Sequence, residues 1–118
     1  MPFHVDTQPE HATIRVVFSG AVTVAERFRA MTEIVALQQQ TQYAKLLADF
    51  RQATVVATSQ EETSNYATRL AQELPPHRMK IAYVGEATQT ASVEALAALR
   101  GYFYQRFRTP GEAMRWLG

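Results

Sequence analysis

Lys45-Leu46-Leu47-Ala48-Asp49-Phe50 is an almost unbroken apolar run of strand length. A strand that is apolar on both of its alternating faces needs a covering layer on each side, so this segment belongs in the middle of a sheet with helices packed over it. The flanking sequence supplies such helices. After Gly20, Thr23-Val24-Ala25-Glu26 combines a hydroxyl able to cap a helix with a glutamate three positions later. Val24, Phe28, Met31 and Val35 follow at helical spacing and form one apolar stripe. Beyond the apolar run, a loop from Arg51 to Ala57 leads to Thr58 and Ser59, and Glu61 and Glu62 are placed to close a capping box on either hydroxyl. Tyr66, Leu70 and Leu74 make the next stripe, which Pro75-Pro76 brings to an end.

The remaining segments extend the same alternation. Phe3 and Val5 alternate with polar neighbours, as do Ile14, Val16 and Phe18, and Gln8-Pro9-Glu10-His11 between them has turn chemistry, so these read as an antiparallel hairpin. Met79 to Val84 is a further buried strand closed by Gly85. Val93, Leu96, Ala97 and Arg100 fall on a helix with Gly101 just past its end, and Tyr102 to Arg108 is extended and aromatic. Thr109-Pro110-Gly111-Glu112 then opens a last helix with a cap, a proline at the first position and a capping glutamate. Ala113, Trp116 and Leu117 share one face of it, and burial of Trp116 against the sheet is expected to pin the terminus. The order ββαβαβαβα defines an α/β domain spanning residues 1–118, with a mixed, partly parallel sheet and helices packed on it.

Composition narrows the chemistry. The absence of cysteine removes disulfides, thiol nucleophiles and thiolate metal sites, and fits a reducing, cytoplasmic setting. A net charge of +1 is too weak to steer a polyanion, so nucleic acid is not an expected partner. The interleaved aromatics and arginines of Tyr102-Phe103-Tyr104-Gln105-Arg106-Phe107-Arg108 read instead as a strand with its aromatics packed inward and its arginines solvated. No stretch approaches the ~20 apolar residues of a membrane span, and the opening residues up to Thr7 lack the apolar region of an export signal. His4, His11 and His77 lie in separate segments without metal-ligand spacing, and no phosphate-binding glycine loop or nucleophile elbow is present. Neither a metal nor another cofactor is expected.

Three stretches carry a family likeness: Ile14-Arg15-Val16-Val17-Phe18-Ser19-Gly20, Leu46-Leu47-Ala48-Asp49-Phe50-Arg51, and the closing Phe107-Arg108-Thr109-Pro110-Gly111-Glu112-Ala113-Met114-Arg115-Trp116-Leu117. With the element order, they make nearly the whole chain resemble the STAS family, which includes the SpoIIAA-like sporulation anti-sigma-factor antagonists, and especially its branch sharing a clan with CRAL-TRIO lipid-binding domains. The resemblance implies a regulatory or protein-interaction module. In the antagonists a phosphorylatable serine opens the second helix within an Asp-Ser-Ser/Thr-Gly motif. The matching stretch here is Ala57-Thr58-Ser59-Gln60, which keeps both hydroxyls and lacks the aspartate and the glycine.

Thr58 and Ser59 are therefore candidate phosphoacceptors or plain helix caps. Asp49, near the C-terminal end of the central strand, is a candidate polar anchor or base, or else a loop cap. Phe28, Met31, Tyr66, Leu70 and Met114 could line an apolar groove, as the lipid-binding side of the clan would imply, although helical stripes usually form core. The first expectation is a non-catalytic module with a protein partner, the second a carrier of a small apolar ligand, and a hydrolase comes a distant third. Aromatic surface around Tyr102 and Tyr104 would be covered by a second copy, which points to a homodimer.

Overall fold

The computed structural model describes residues 2–56, 59–73, 79–86 and 101–118. The expected helix around Val93 to Arg100 lies outside these residues, as do Thr58, Leu74, Pro75-Pro76 and His77. The elements in chain order are β1 (Phe3–Gln8), β2 (Thr13–Val22), α1 (Val24–Thr41), β3 (Lys45–Val55), α2 (Gln60–Glu73), β4 (Lys80–Val84), β5 (Phe103–Phe107) and α3 (Pro110–Leu117). The strands form one five-stranded sheet in the order β1-β2-β3-β4-β5. β1 runs antiparallel to β2, and the other neighbouring pairs are parallel. The mixed α/β sheet expected from the sequence is thus present, with the apolar run of β3 at its centre.

Local chemistry explains each boundary. The hairpin turn is a short 3-10 helix at Pro9–His11, closed by Ala12 in the left-handed region at φ 50°. Arg15 on β2 grips the Asp6 carboxylate on β1 with both guanidinium arms, and this hydrogen bonding holds Asp6 below the usual carboxylate range. Thr23 caps α1 by accepting from the Glu26 amide at 3.3 Å, and Gln42 ends the helix at φ 61°. Thr109 caps α3 through the Glu112 amide at 3.3 Å.

The two faces of the sheet are covered differently. Val16, Phe18, Leu46, Ala48, Phe50, Ile81 and Tyr83 form the larger core with α1, whose buried positions are Arg27, Ala30, Met31, Ile34 and Val35. This line is rotated from the stripe read in the sequence: Phe28 is half-buried and sits at the α1–α2 contact, its ring 5.1 Å from that of Tyr66. On the opposite face Leu47, Ala82 and Val84 meet Ala113 and Leu117 of α3. The C-terminal turn of α3 is tied down by two lysines at strand starts. Lys80 Nζ donates to the Trp116 carbonyl and Lys45 Nζ donates to the Gly118 carbonyl at 2.7 Å.

Trp116 departs from expectation because it is half-buried and does not lie under the helix. Ala113 and Leu117 are four residues apart and take the innermost line of α3, which turns Trp116 to the flank. There its ring packs 5.6 Å from Phe107 and receives Lys80 Nζ at 4.4 Å. The strand aromatics depart as well. Tyr102 is buried, but Phe103 is 63% exposed and Tyr104 is exposed at the β5 edge, its ring 6.3 Å from that of Tyr83 in a T-shaped contact. Strand alternation sends Phe103 to the α3 side, in register with Lys80, and leaves most of its ring in solvent.

Because Leu117 fills the α3 interface, Leu117→Ala is expected to cost about 2–5 kcal/mol, the range for a buried large-to-small change. Trp116→Ala should cost less than Leu117→Ala. Urea unfolding of the two variants measures the order, and a larger loss for Trp116→Ala would place the indole under the helix instead.

Candidate functional site

Two regions bring functional groups together. The first lies at the C-terminal end of the β3–β4 pairing. Val17 pairs with Asp49 and Ser19 with Gln52, so β3 carries one residue more than β2 across this step. Such a bulge deprives a backbone amide of its ladder partner and re-aims the strand. Asp49, 5% exposed, answers that amide: its Oδ1 accepts from the Arg51 backbone N at 3.0 Å. Its carboxylate also receives the Arg51 guanidinium, with Nη2 at 2.8 Å from Oδ2 and Nε at 3.1 Å from Oδ1. This hydrogen bonding raises the Arg51 pKa above its ordinary value. Asp49 thus makes the bond of a loop cap, and both of its oxygens are engaged by Arg51.

Beyond the bulge β3 continues to Val55 with Arg51, Gln52 and Thr54 exposed, and Val56 after it is an exposed hydrophobic residue. Ser59 then opens α2 with a complete capping box. The Glu62 amide donates to Ser59 Oγ, and the Ser59 amide donates to Glu62 Oε1, both at 3.1 Å. The cap read in the sequence is in place at Ser59.

The second region is a cavity of about 50 Å³ between the sheet and the two helices that cover this face. β2, β3 and β4 contribute Val16, Phe18, Leu46, Ala48, Phe50, Ile81 and Tyr83; α1 contributes Arg27, Ala30, Met31 and Ile34; α2 contributes Tyr66 and Leu70. Of the residues expected to line an apolar groove, Met31, Tyr66 and Leu70 meet here. Phe28 stands behind Tyr66, outside the lining. Met114 does not belong to the group, because α3 packs on the other face of the sheet. A helical stripe identifies a buried face without saying which side of the sheet receives it.

Arg27 is the residue that sequence reasoning missed. It is 3% exposed, its guanidinium carbon lies 4.5 Å from the centre of the Tyr66 ring, and its Nη2 has no hydrogen-bond partner among the described residues. Burial raises the Tyr66 hydroxyl pKa, and the Arg27 charge pulls it the other way. The available signal was spacing: Arg27 precedes Ala30, Met31 and Ile34 by three, four and seven positions, which puts it on the buried line. Among the described residues no group of three or more histidines or carboxylates could hold a metal ion, and no helix is long and apolar enough to cross a membrane.

No protein-family model and no curated protein matches this chain. Solved structures do. The unphosphorylated form of the anti-sigma factor antagonist SpoIIAA superposes with a TM-score of 0.66 at 11% identity, over 98% of this chain and 96% of that one. An uncharacterised protein of the DUF3478 family from Shewanella loihica, itself described as having a SpoIIAA-like fold, gives 0.67 at 12% identity, over 98% and 92%. This chain has a SpoIIAA-like fold. Within that fold, the bulge of β3 and the capped start of α2 stand on one end of the sheet, while the Arg27 cavity lies beneath α1 and α2.

Removing the Asp49 carboxylate takes an acceptor from the bulge amide and from the Arg51 guanidinium. Asp49→Ala is expected to lose about 1–3 kcal/mol in urea unfolding, and Asp49→Asn, which keeps one carbonyl oxygen for the amide, should lose less. Equal stability of Asp49→Ala and the unaltered chain would remove the structural role.

Proposed function

We propose that the chain is a non-catalytic regulatory module that binds a protein partner through the end of the sheet where β3 leads into α2. The observation carrying this reading is the composition of that end. Exposed Gln52, Thr54 and Val56 adjoin the exposed start of α2 at Ser59, a mixed apolar and polar surface on a rigid strand and a capped helix. The catalytic alternative has less behind it, since Asp49, the buried carboxylate there, is bound by Arg51. The likeness to a protein described as an anti-sigma factor antagonist in an unphosphorylated form supports a module of this kind.

Ser59 serves this surface as a cap and not as a phosphoacceptor. Its hydroxyl already accepts the Glu62 amide, and Glu61 and Glu62 in the first turn would repel a group carrying about −1.5 to −2 charges. Affinity capture of the full chain from extracts of its own cells, read by quantitative mass spectrometry, tests both points. Val56→Asp is expected to abolish capture of the specific partner. Ser59→Ala and Thr58→Ala/Ser59→Ala should keep it while losing about 1 kcal/mol of stability per cap. Opposite effects of Ser59→Ala and Ser59→Glu on capture, at equal stability, would restore a phosphorylation switch.

Strand β5 favours a second contact, with another copy of the chain. It is the last strand of the sheet, and Phe103 and Tyr104 are exposed on it. Sedimentation velocity at high micromolar concentration should find a dimer that Phe103→Asp returns to monomer. A monomer at that concentration overturns the self-association.

A further inference from the structure

Arg27 occupies a position that opposes a cation in three ways. It lies in the first turn of α1, where the helix dipole is positive. It is buried among apolar side chains, where a charge lacking full hydrogen bonding is costly. One of its amino groups has no hydrogen-bond partner among the described residues. The Tyr66 ring beneath the guanidinium offsets part of this through its π face, but a ring face cannot accept in the plane of the fork. The unsatisfied arm belongs to a residue that lines the cavity, and the same lining, aromatic in part, includes the aliphatic side chains of Ala30, Ile34, Ala48 and Leu70.

We propose that this cavity binds a short-chain monocarboxylate, with the carboxylate on the Arg27 guanidinium and the alkyl chain against the aliphatic wall. A carboxylate is planar and monoanionic, and it matches the guanidinium fork with two parallel hydrogen bonds. The ligand's single charge neutralises that of Arg27, the charged residue of the lining. A phosphate would bring a second charge and more oxygens than Arg27 and the Tyr66 hydroxyl can satisfy. Size sets the chain length. At about 50 Å³ the cavity is well below the ~150 Å³ that takes benzene, which leaves room for a few heavy atoms and excludes a long acyl chain. This site is separate from the β3–α2 surface and does not depend on it.

Methyl and amide NMR of the full chain, titrated with propionate, propionamide and inorganic phosphate, tests the assignment. Propionate is expected to give saturable shifts at Ala30, Ile34, Ala48 and Leu70, while propionamide and phosphate give none at these positions. Arg27→Met should weaken propionate binding about tenfold or more, as loss of a charge-assisted contact requires, and should melt at the same or a higher temperature because an incompletely paired buried charge is gone. Arg27→Lys retains the charge without the fork and should bind more weakly than the unaltered chain, which keeps the test open if Arg27→Met does not fold. Absence of saturable shifts with propionate overturns the proposal. So does an equal response to propionamide or phosphate, or unchanged propionate binding in the Arg27 variants.

Discussion

Two-sided burial of β3 is the constraint on which the rest of the structure depends. Leu46, Ala48 and Phe50 point to one face and Leu47 to the other, so neither face can be left to solvent without exposing the centre of the sheet. α1 and α2 therefore cover one side and α3 the other. The covering differs in kind. α3 is short and sits close, with Ala113 allowing near approach and Leu117 filling the contact. On the other side α1 presents larger residues, and the space between it, α2 and the sheet is not completely filled.

The capping chemistry was legible in the sequence because it is local. Thr23, Ser59 and Thr109 each accept from the amide three residues later, and this requires nothing of the tertiary structure. The strands were legible for a similar reason, since alternation or continuous apolarity reports how many of their faces are covered. Positions that depend on which surface meets which were not. Met114 and Met31 look alike as members of helical stripes, yet they lie on opposite sides of the sheet. Trp116 reads as the anchor of the last helix by size, whereas packing gives the inner line to Ala113 and Leu117.

The candidate sites divide in the same way. Asp49 was visible as a polar residue in an apolar strand, but its role follows from an extra residue in β3 relative to β2, and no periodicity reports a register shift between two strands far apart in sequence. Arg27 was passed over because an arginine in an amphipathic helix normally marks the solvated face. Its spacing nonetheless falls on the buried line of Ala30, Met31 and Ile34. Side chains that break a local rule in this way mark the places where a fold carries something besides its own stability.

The bulge in β3 also divides its pairing with β2 into two stretches. Below it, β3 is flanked by β2 and by β4, whose pairing with it ends at Asp49 and Val84. Above it, Ser19 to Val22 and Gln52 to Val55 stay paired with each other, a pairing extended by the bond from the Val56 amide to the Val22 carbonyl at 2.9 Å, and Val22 and Ala53 are buried there. The bulge thus re-aims the outer stretch of the two strands while Val22 and Ala53 keep it anchored in the core, so the surface it carries holds a fixed direction relative to the rest of the sheet.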